Sequence, residues 1–233
     1  MLGAVSIRRK SPYAVICVRC MVSPKEINKG QEMTKTTLPD NRLIKPEVID
    51  KLKSTLIECF SKGQFHEVGL REICRLAKVS PNTIYKYCGT KENLLYFCIK
   101  EDMDTLNQSI IDSLQGNVTF RARIQAFADV WFAYYQANPA IARIVFLNIP
   151  QAYWMSPQYY MQKDLIAFLQ EFLSGMQNDG LIKAQLNIPH ALDMIIGSAN
   201  RIAIRWLTIE GGDAQLAELK ASLVEFICSA LEA

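Results

Sequence analysis

The sequence predicts an all-α fold of about nine helices, and three observations lead there. The nine prolines stand at 12, 24, 39, 46, 81, 139, 150, 157 and 189, leaving proline-free stretches at 82–138, 158–188 and 190–233. Within those stretches apolar residues recur every three or four positions, the spacing of one helix face. Nowhere does apolar alternate with polar for long enough to argue for a sheet. The chain has 233 residues, half of them apolar and 21% charged. That suits a small domain joined to a larger one, with enough core to fold without disulfides or metals.

The first 45 residues read as a basic extension with Pro12, Pro24 and Pro39 and many polar residues. They hold 9 Lys/Arg against 3 Asp/Glu, whereas the 138 residues after Leu95 hold 9 against 14. A basic N-terminal part before an acidic body is the asymmetry of a protein whose one end meets a polyanion, and a solvated tail gives the same balance. The apolar run Tyr13–Val18 is far short of the roughly 20 residues that span a bilayer. Arg19 ends that run, so neither a membrane span nor a signal peptide is expected. Seven cysteines, five of them (Cys59, Cys74, Cys88, Cys98, Cys228) in helix-like segments, suit a reducing cytoplasm. Cys17 and Cys20 form a lone C-x-x-C, a redox pair or half of a zinc site. With no second pair and with His66 and His190 isolated, no metal and no cofactor is expected.

Regular structure begins at Pro46, which with Glu47 suits a helix start, and Ile49, Leu52, Leu56 and Cys59/Phe60 form its stripe up to Lys62-Gly63. A short helix, Leu70–Ala77, comes after Gly69. The next begins at Ser80, whose hydroxyl is placed to cap it, with Pro81 in its first turn; Thr90 is placed to cap a fourth, longer helix carrying Leu94, Leu95, Phe97 and Cys98. Two short helices joined only through Lys78-Val79-Ser80 must cross steeply, which is helix-turn-helix geometry. Ile73, Leu76, Ala77, Val79 and Ile84 supply its inner faces. In such a unit the second helix enters the major groove. Its outer face carries Asn82, Thr83, Lys86 and Tyr87, hydrogen-bonding types suited to base edges and phosphates, with Tyr85 and Lys91 flanking as backbone contacts.

The run Leu70-Arg71-Glu72-Ile73-Cys74-Arg75-Leu76-Ala77-Lys78-Val79-Ser80-Pro81-Asn82-Thr83-Ile84-Tyr85-Lys86-Tyr87, continued by Thr90-Lys91-Glu92-Asn93-Leu94-Leu95, resembles the DNA-binding domain of TetR-family transcriptional regulators. The resemblance covers about 60 residues from Pro46. Two positions depart from the family pattern: Lys78 stands where the turn usually has Gly, and Cys88 where Phe usually packs the recognition helix. The resemblance implies a three-helix DNA-binding domain at 46–106, with the helix-turn-helix at about 69–88, and a ligand-binding and dimerisation domain at 107–233. It implies a homodimeric, ligand-inducible repressor on a palindromic double-stranded operator, with Arg71, Ser80, Asn82, Thr83, Tyr85, Lys86, Tyr87 and Lys91 as its DNA-binding set. A helical interaction or small-molecule-binding protein with a degraded motif is the alternative that Lys78 and Cys88 keep open.

In the second domain Phe120, Ile124, Phe127, Trp131 and Tyr134/Tyr135 run along one helix face. A short helix sits between Pro139 and Pro150, a longer one spans Tyr159–Met176, and two more cover about 190–209 and 214–232. The first of that last pair is apolar nearly all round, so it must be covered on more than one side. The pair is therefore the candidate homodimer face. Aromatic stripes at helical spacing usually form core. The sharper reading is a cavity for a small hydrophobic or amphipathic ligand, lined by Phe127, Trp131, Tyr134, Tyr135, Phe146, Trp154 and Tyr159. Arg201 is the candidate partner for an anionic head group, and the dimer rim is its plainer use. No G-x-x-x-x-G-K-[ST], H-E-x-x-H or G-x-S-x-G occurs, so an enzyme is not expected.

Overall fold

The computed structural model describes residues 46–115, 119–209 and 212–233, without the side chains of residues 46, 86, 87 and 212–214. The basic extension, with Cys17 and Cys20, lies outside the described residues. Ten α-helices are present among the described residues: α1 (Pro46–Lys62), α2 (Leu70–Ala77), α3 (Pro81–Tyr87), α4 (Lys91–Gln115), α5 (Phe120–Ala137), α6 (Pro139–Arg143), α7 (Gln151–Trp154), α8 (Lys163–Asn178), α9 (Ile188–Thr208) and α10 (Gly212–Leu231). A π-helical turn, Ile144–Asn148, continues α6. The count exceeds the predicted nine because α7 is a single turn of four residues, too short to show a repeat. The eighth helix starts at Lys163 instead of Tyr159.

Two apolar cores are strung along α4. Leu94, Leu95, Cys98 and Ile99 join Leu52, Leu56, Phe60, Ile73, Ala77 and Ile84 from the first three helices. One turn further on, Met103, Leu106, Ile110 and Leu114 enter a larger core with α5, α8, α9 and α10. α4 packs along α5, α5 against α10, α10 against α9, and α9 against α8. The π turn serves both cores: Ile144 and the adjoining Ile149 are buried in the first, Phe146 in the second. Across the first core Lys53 of α1 pairs with Asp102 of α4 at 2.9 Å.

The turn between α2 and α3 is closed by backbone alone. Lys78 takes φ 56° and ψ 40°, left-handed as the missing glycine requires. Its N–H donates to Arg75 O at 3.4 Å and that of Val79 to Cys74 O at 3.0 Å, the paired bonds that end a helix at a left-handed residue. A lysine there costs roughly 1–2 kcal/mol of strain, of which glycine would return part to its looser unfolded chain. Lys78→Gly is therefore expected to raise stability by about 0.5–1 kcal/mol, read as a higher urea midpoint with unchanged slope.

Candidate nucleic-acid interface

α3 is held from behind and open in front. Ser80 Oγ accepts from the Thr83 N–H at 3.1 Å and meets Thr83 Oγ1 at 2.8 Å, so the predicted cap is made. Ile84 is buried, while Ser80 and Asn82 are exposed and Thr83 half-buried. Tyr85 has 57% of its surface exposed, a large aromatic kept in water on a helix otherwise anchored by its other side. Arg71 and Arg75 are exposed on α2. Lys86 and Tyr87 belong to α3, but their side chains lie outside the described residues.

Two predicted placements are corrected. Leu76, assigned to the inner face, is 41% exposed. At about 100° per residue, the buried arc of Ile73, Cys74 and Ala77 leaves position 76 on the far side. Lys91, assigned to the DNA flank, turns its ammonium inward: Nζ donates to Phe65 O at 2.5 Å and Val68 O at 3.1 Å, and lies 4.3 Å from the Phe65 ring centroid. It ties down the turn between α1 and α2, whose carbonyls have no helical partner. Cys88, in place of the usual Phe, caps α3, with its N–H donating to Ile84 O at 2.8 Å. Burial pushes its thiol up to about 11, so it stays protonated at neutral pH and is a poor nucleophile.

The aromatic residues assigned to a ligand cavity separate into two groups. Trp131, Tyr134, Tyr135 and Phe146 meet inside the larger core, with ring centroids 4.8 to 5.6 Å apart along the contacts Trp131–Tyr135, Tyr135–Phe146, Tyr134–Tyr135 and Trp131–Phe146. Phe127 is buried in the same core. Trp154 and Tyr159 belong elsewhere: Tyr153 stands 4.7 Å from Trp154 and 4.5 Å from Tyr159, and Tyr159 reaches Tyr96 on α4 at 5.8 Å. Arg201 is exposed on α9, because Ala199 and Ala203 take the buried side of that helix. These three are corrections, and no periodicity signalled them.

Among the described residues, the buried hydroxyls of Tyr134 and Tyr135 have no hydrogen-bond partner. Burial pushes the pKa of both hydroxyls well above the usual phenol range and keeps them protonated, with the Asp102 charge adding to the rise at Tyr134 and Tyr134 adding to it at Tyr135. A buried hydroxyl without a partner is costly. The pair is thus a ready donor site within an apolar wall.

The sequence left Asn148 open between a ligand contact and the dimer rim, and its hydrogen bonds give it a different place. Asn148, buried at the end of the π turn, donates from Nδ2 to Phe60 O at 2.7 Å and accepts from Gln64 Nε2 at 3.4 Å, while its own carbonyl accepts from the Phe65 N–H at 3.1 Å. It fastens the C-terminal end of α1 to the second half of the chain.

The sequence model for "Bacterial regulatory proteins, tetR family" matches residues 54–96, the stretch that folds as the second half of α1 through the start of α4. That stretch of the chain is of the TetR type. Its relatives include the HTH-type transcriptional regulator HbdR of Aromatoleum sp. (strain CIB), 31% identical over 85 residues, which are 36% of this chain and 37% of that protein. The fatty acid metabolism regulator protein of Bacillus subtilis (strain 168) is 22% identical over 177 residues, covering 75% of this chain and 91% of that one. Among solved structures, the fatty acid degradation regulator FadR of Bacillus halodurans superposes with a TM-score of 0.66 at 17% identity, over 79% of this chain and 96% of that one. FadR of Bacillus subtilis, solved with stearoyl-CoA, gives 0.65 at 19% identity, over 77% and 97%. These likenesses fix the TetR fold along α1 to α10. The two departures from the family pattern are absorbed locally: Lys78 adopts the left-handed turn, and Cys88 closes α3 with its backbone.

Proposed function

We infer that the chain is a ligand-responsive transcriptional repressor that binds a palindromic operator as a homodimer. The observation that carries this is α3 itself: a Ser-capped helix anchored by Ile84, presenting Ser80, Asn82 and Tyr85 to solvent. Arg71 of α2 supplies a phosphate contact and Thr83 adds to the reading surface; Lys86 and Tyr87 join the set on their sequence positions alone. The relatives' regulatory names support the reading. An enzyme has no support among relatives that are transcriptional regulators. No helix of the described residues is long and apolar enough to cross a membrane, and the place of action is the cytoplasm.

Dimerisation through α9 and α10 fits the surface those helices leave uncovered. Met194 is 68% exposed and Phe226 57%, both on helices whose other faces already fill the larger core. Two copies of the pair would form a four-helix bundle. The inducer belongs at Trp131, Tyr134, Tyr135 and Phe146, with Phe127 behind them: a hydrophobic or amphipathic molecule with an acceptor group for the two tyrosine hydroxyls. A long-chain acyl-CoA thioester has that chemistry, and the FadR relative was solved with stearoyl-CoA.

Selection from a pool of random duplexes tests the reading. The wild-type chain is expected to recover a near-palindromic site with half-sites about 34–36 Å apart. Asn82→Ala and Tyr85→Ala should each weaken it by about 1–3 kcal/mol, and Asn82→Ala should relax the base preference. Stearoyl-CoA should release the duplex. Uniform weak binding that vanishes with salt, and no recovered sequence, would sink the proposal.

A further inference from the structure

The segment between α7 and α8 reaches the recognition helix through the side chain of Asn93. Tyr153 and Tyr159 stack at 4.5 Å with 17° between their planes. Both hydroxyls then point at the start of α4: Tyr153 OH donates to Glu92 O at 2.6 Å and Tyr159 OH to Asn93 Oδ1 at 2.9 Å. The other end of the Asn93 amide, Nδ2, donates to Cys88 O at 2.8 Å, the carbonyl of the residue that caps α3. Only one orientation of that amide serves both partners. A carbonyl can only accept, so Nδ2 must face Cys88 and Oδ1 must face the tyrosine hydroxyl.

α3 has seven residues, and a helix that short owes its position to its attachments. Its N-terminal end has the Ser80 cap, and the C-terminal end has the Asn93 tie. The tyrosine that orients the tie sits beyond the π turn, on the segment that Asn148 fastens at its other end. We propose that Tyr159 and Asn93 form a relay through which the segment 151–161 sets the position of the C-terminal end of α3. Asn93 is a positioning residue for DNA reading, and it touches no base or phosphate in doing so. The consequence for DNA rests on the reading of α3 given above; the relay itself does not.

Amide hydrogen exchange in the full-length chain tests the relay directly. The reporters are the N–H groups of Cys88, Gly89 and Thr90, bonded to Ile84 O, Tyr85 O and Cys88 O at 2.8, 3.1 and 2.8 Å. Tyr159→Phe keeps the stacked ring and removes only the hydroxyl. Because Asn93 is exposed and water competes for its bonds, exchange at these three amides is expected to quicken by about threefold. Asn93→Leu should do the same, and the double variant should go no further than Asn93→Leu alone, the signature of two residues acting in series. Amides of α9, such as that of Ala199, should not change. Unaltered reporters, an equal change in α9, or additive single effects would each overturn the relay.

The second arm uses the duplex recovered by selection. Tyr159→Phe should weaken its binding by about threefold with an unchanged log–log salt slope, since no phosphate contact is lost. Loosened amides with full duplex affinity would overturn the step from relay to DNA reading. A wild-type chain that selects no duplex would defeat the operator reading alone, and the exchange data would still decide the relay.

Discussion

Trp131→Ala is expected to lower the stability of the folded chain by about 3–5 kcal/mol, the range for removing a large aromatic from a packed core. Trp131 is 6% exposed and lies 4.8 Å from Phe132, 5.0 Å from Tyr135 and 5.6 Å from Phe146, between ring centroids. The first two contacts are edge-on, at 80° and 72°, an arrangement that adds about 0.5–1.5 kcal/mol per pair beyond the area buried. Equilibrium urea unfolding followed by far-UV circular dichroism measures the loss. Both chains should be compared at one protein concentration, because a dimer's apparent stability depends on it. A loss under about 1.5 kcal/mol would mean that the indole borders open space, and the picture of a packed aromatic group would be wrong. The same ring network is the proposed ligand wall, so a ligand entering there has to part these contacts, and its binding energy must exceed the packing it displaces.

The sequence spoke most clearly where structure is local. Ser80 and Thr90 cap their helices through Thr83 N and Asn93 N, and Pro81 and Pro139 start helices, since each of these roles involves residues three or fewer positions apart. Lys78 announced a left-handed turn for the same reason. Periodicity also found the buried side of α5, where Phe120, Ile124, Phe127, Trp131 and Tyr135 are all buried. It could not say what each face meets. Lys91 reads as a DNA contact because it flanks α3 in the chain, but two carbonyls 23 and 26 residues away claim it. Trp154 and Tyr159 come soon after Phe146 in the chain, yet beyond the π turn and α7 they join a separate aromatic group around Tyr153. A turn of four residues and a π turn of five are too short to leave a repeat, and that stretch is where the two halves of the molecule are joined.

The joint itself makes the second large prediction. Replacing Asn148 with leucine keeps the volume but leaves Phe60 O, a carbonyl of the last turn of α1, buried without its donor. Such a group costs about 1–3 kcal/mol, and Gln64 loses its acceptor as well, so Asn148→Leu is expected to cost about 2–3 kcal/mol in urea unfolding. Asn148→Asp sharpens the assignment, because a carboxylate keeps the acceptor for Gln64 but faces Phe60 O with no proton to give. Burial disfavours its charged form, so its folded pKa is raised above the unfolded value of about 3.9. The protonated side chain, which can donate to Phe60 O, is then the stabilising form. Its contribution is full below the unfolded pKa and drains away as pH rises through the folded one. Relative to wild type, Asn148→Asp should therefore be most damaging near neutral pH and should recover on acidification, whereas the Asn148→Leu deficit should stay level. Parallel pH dependences for the two variants would show that Asn148 is held by packing alone, and that the tie between α1 and the π turn is not made through its amide.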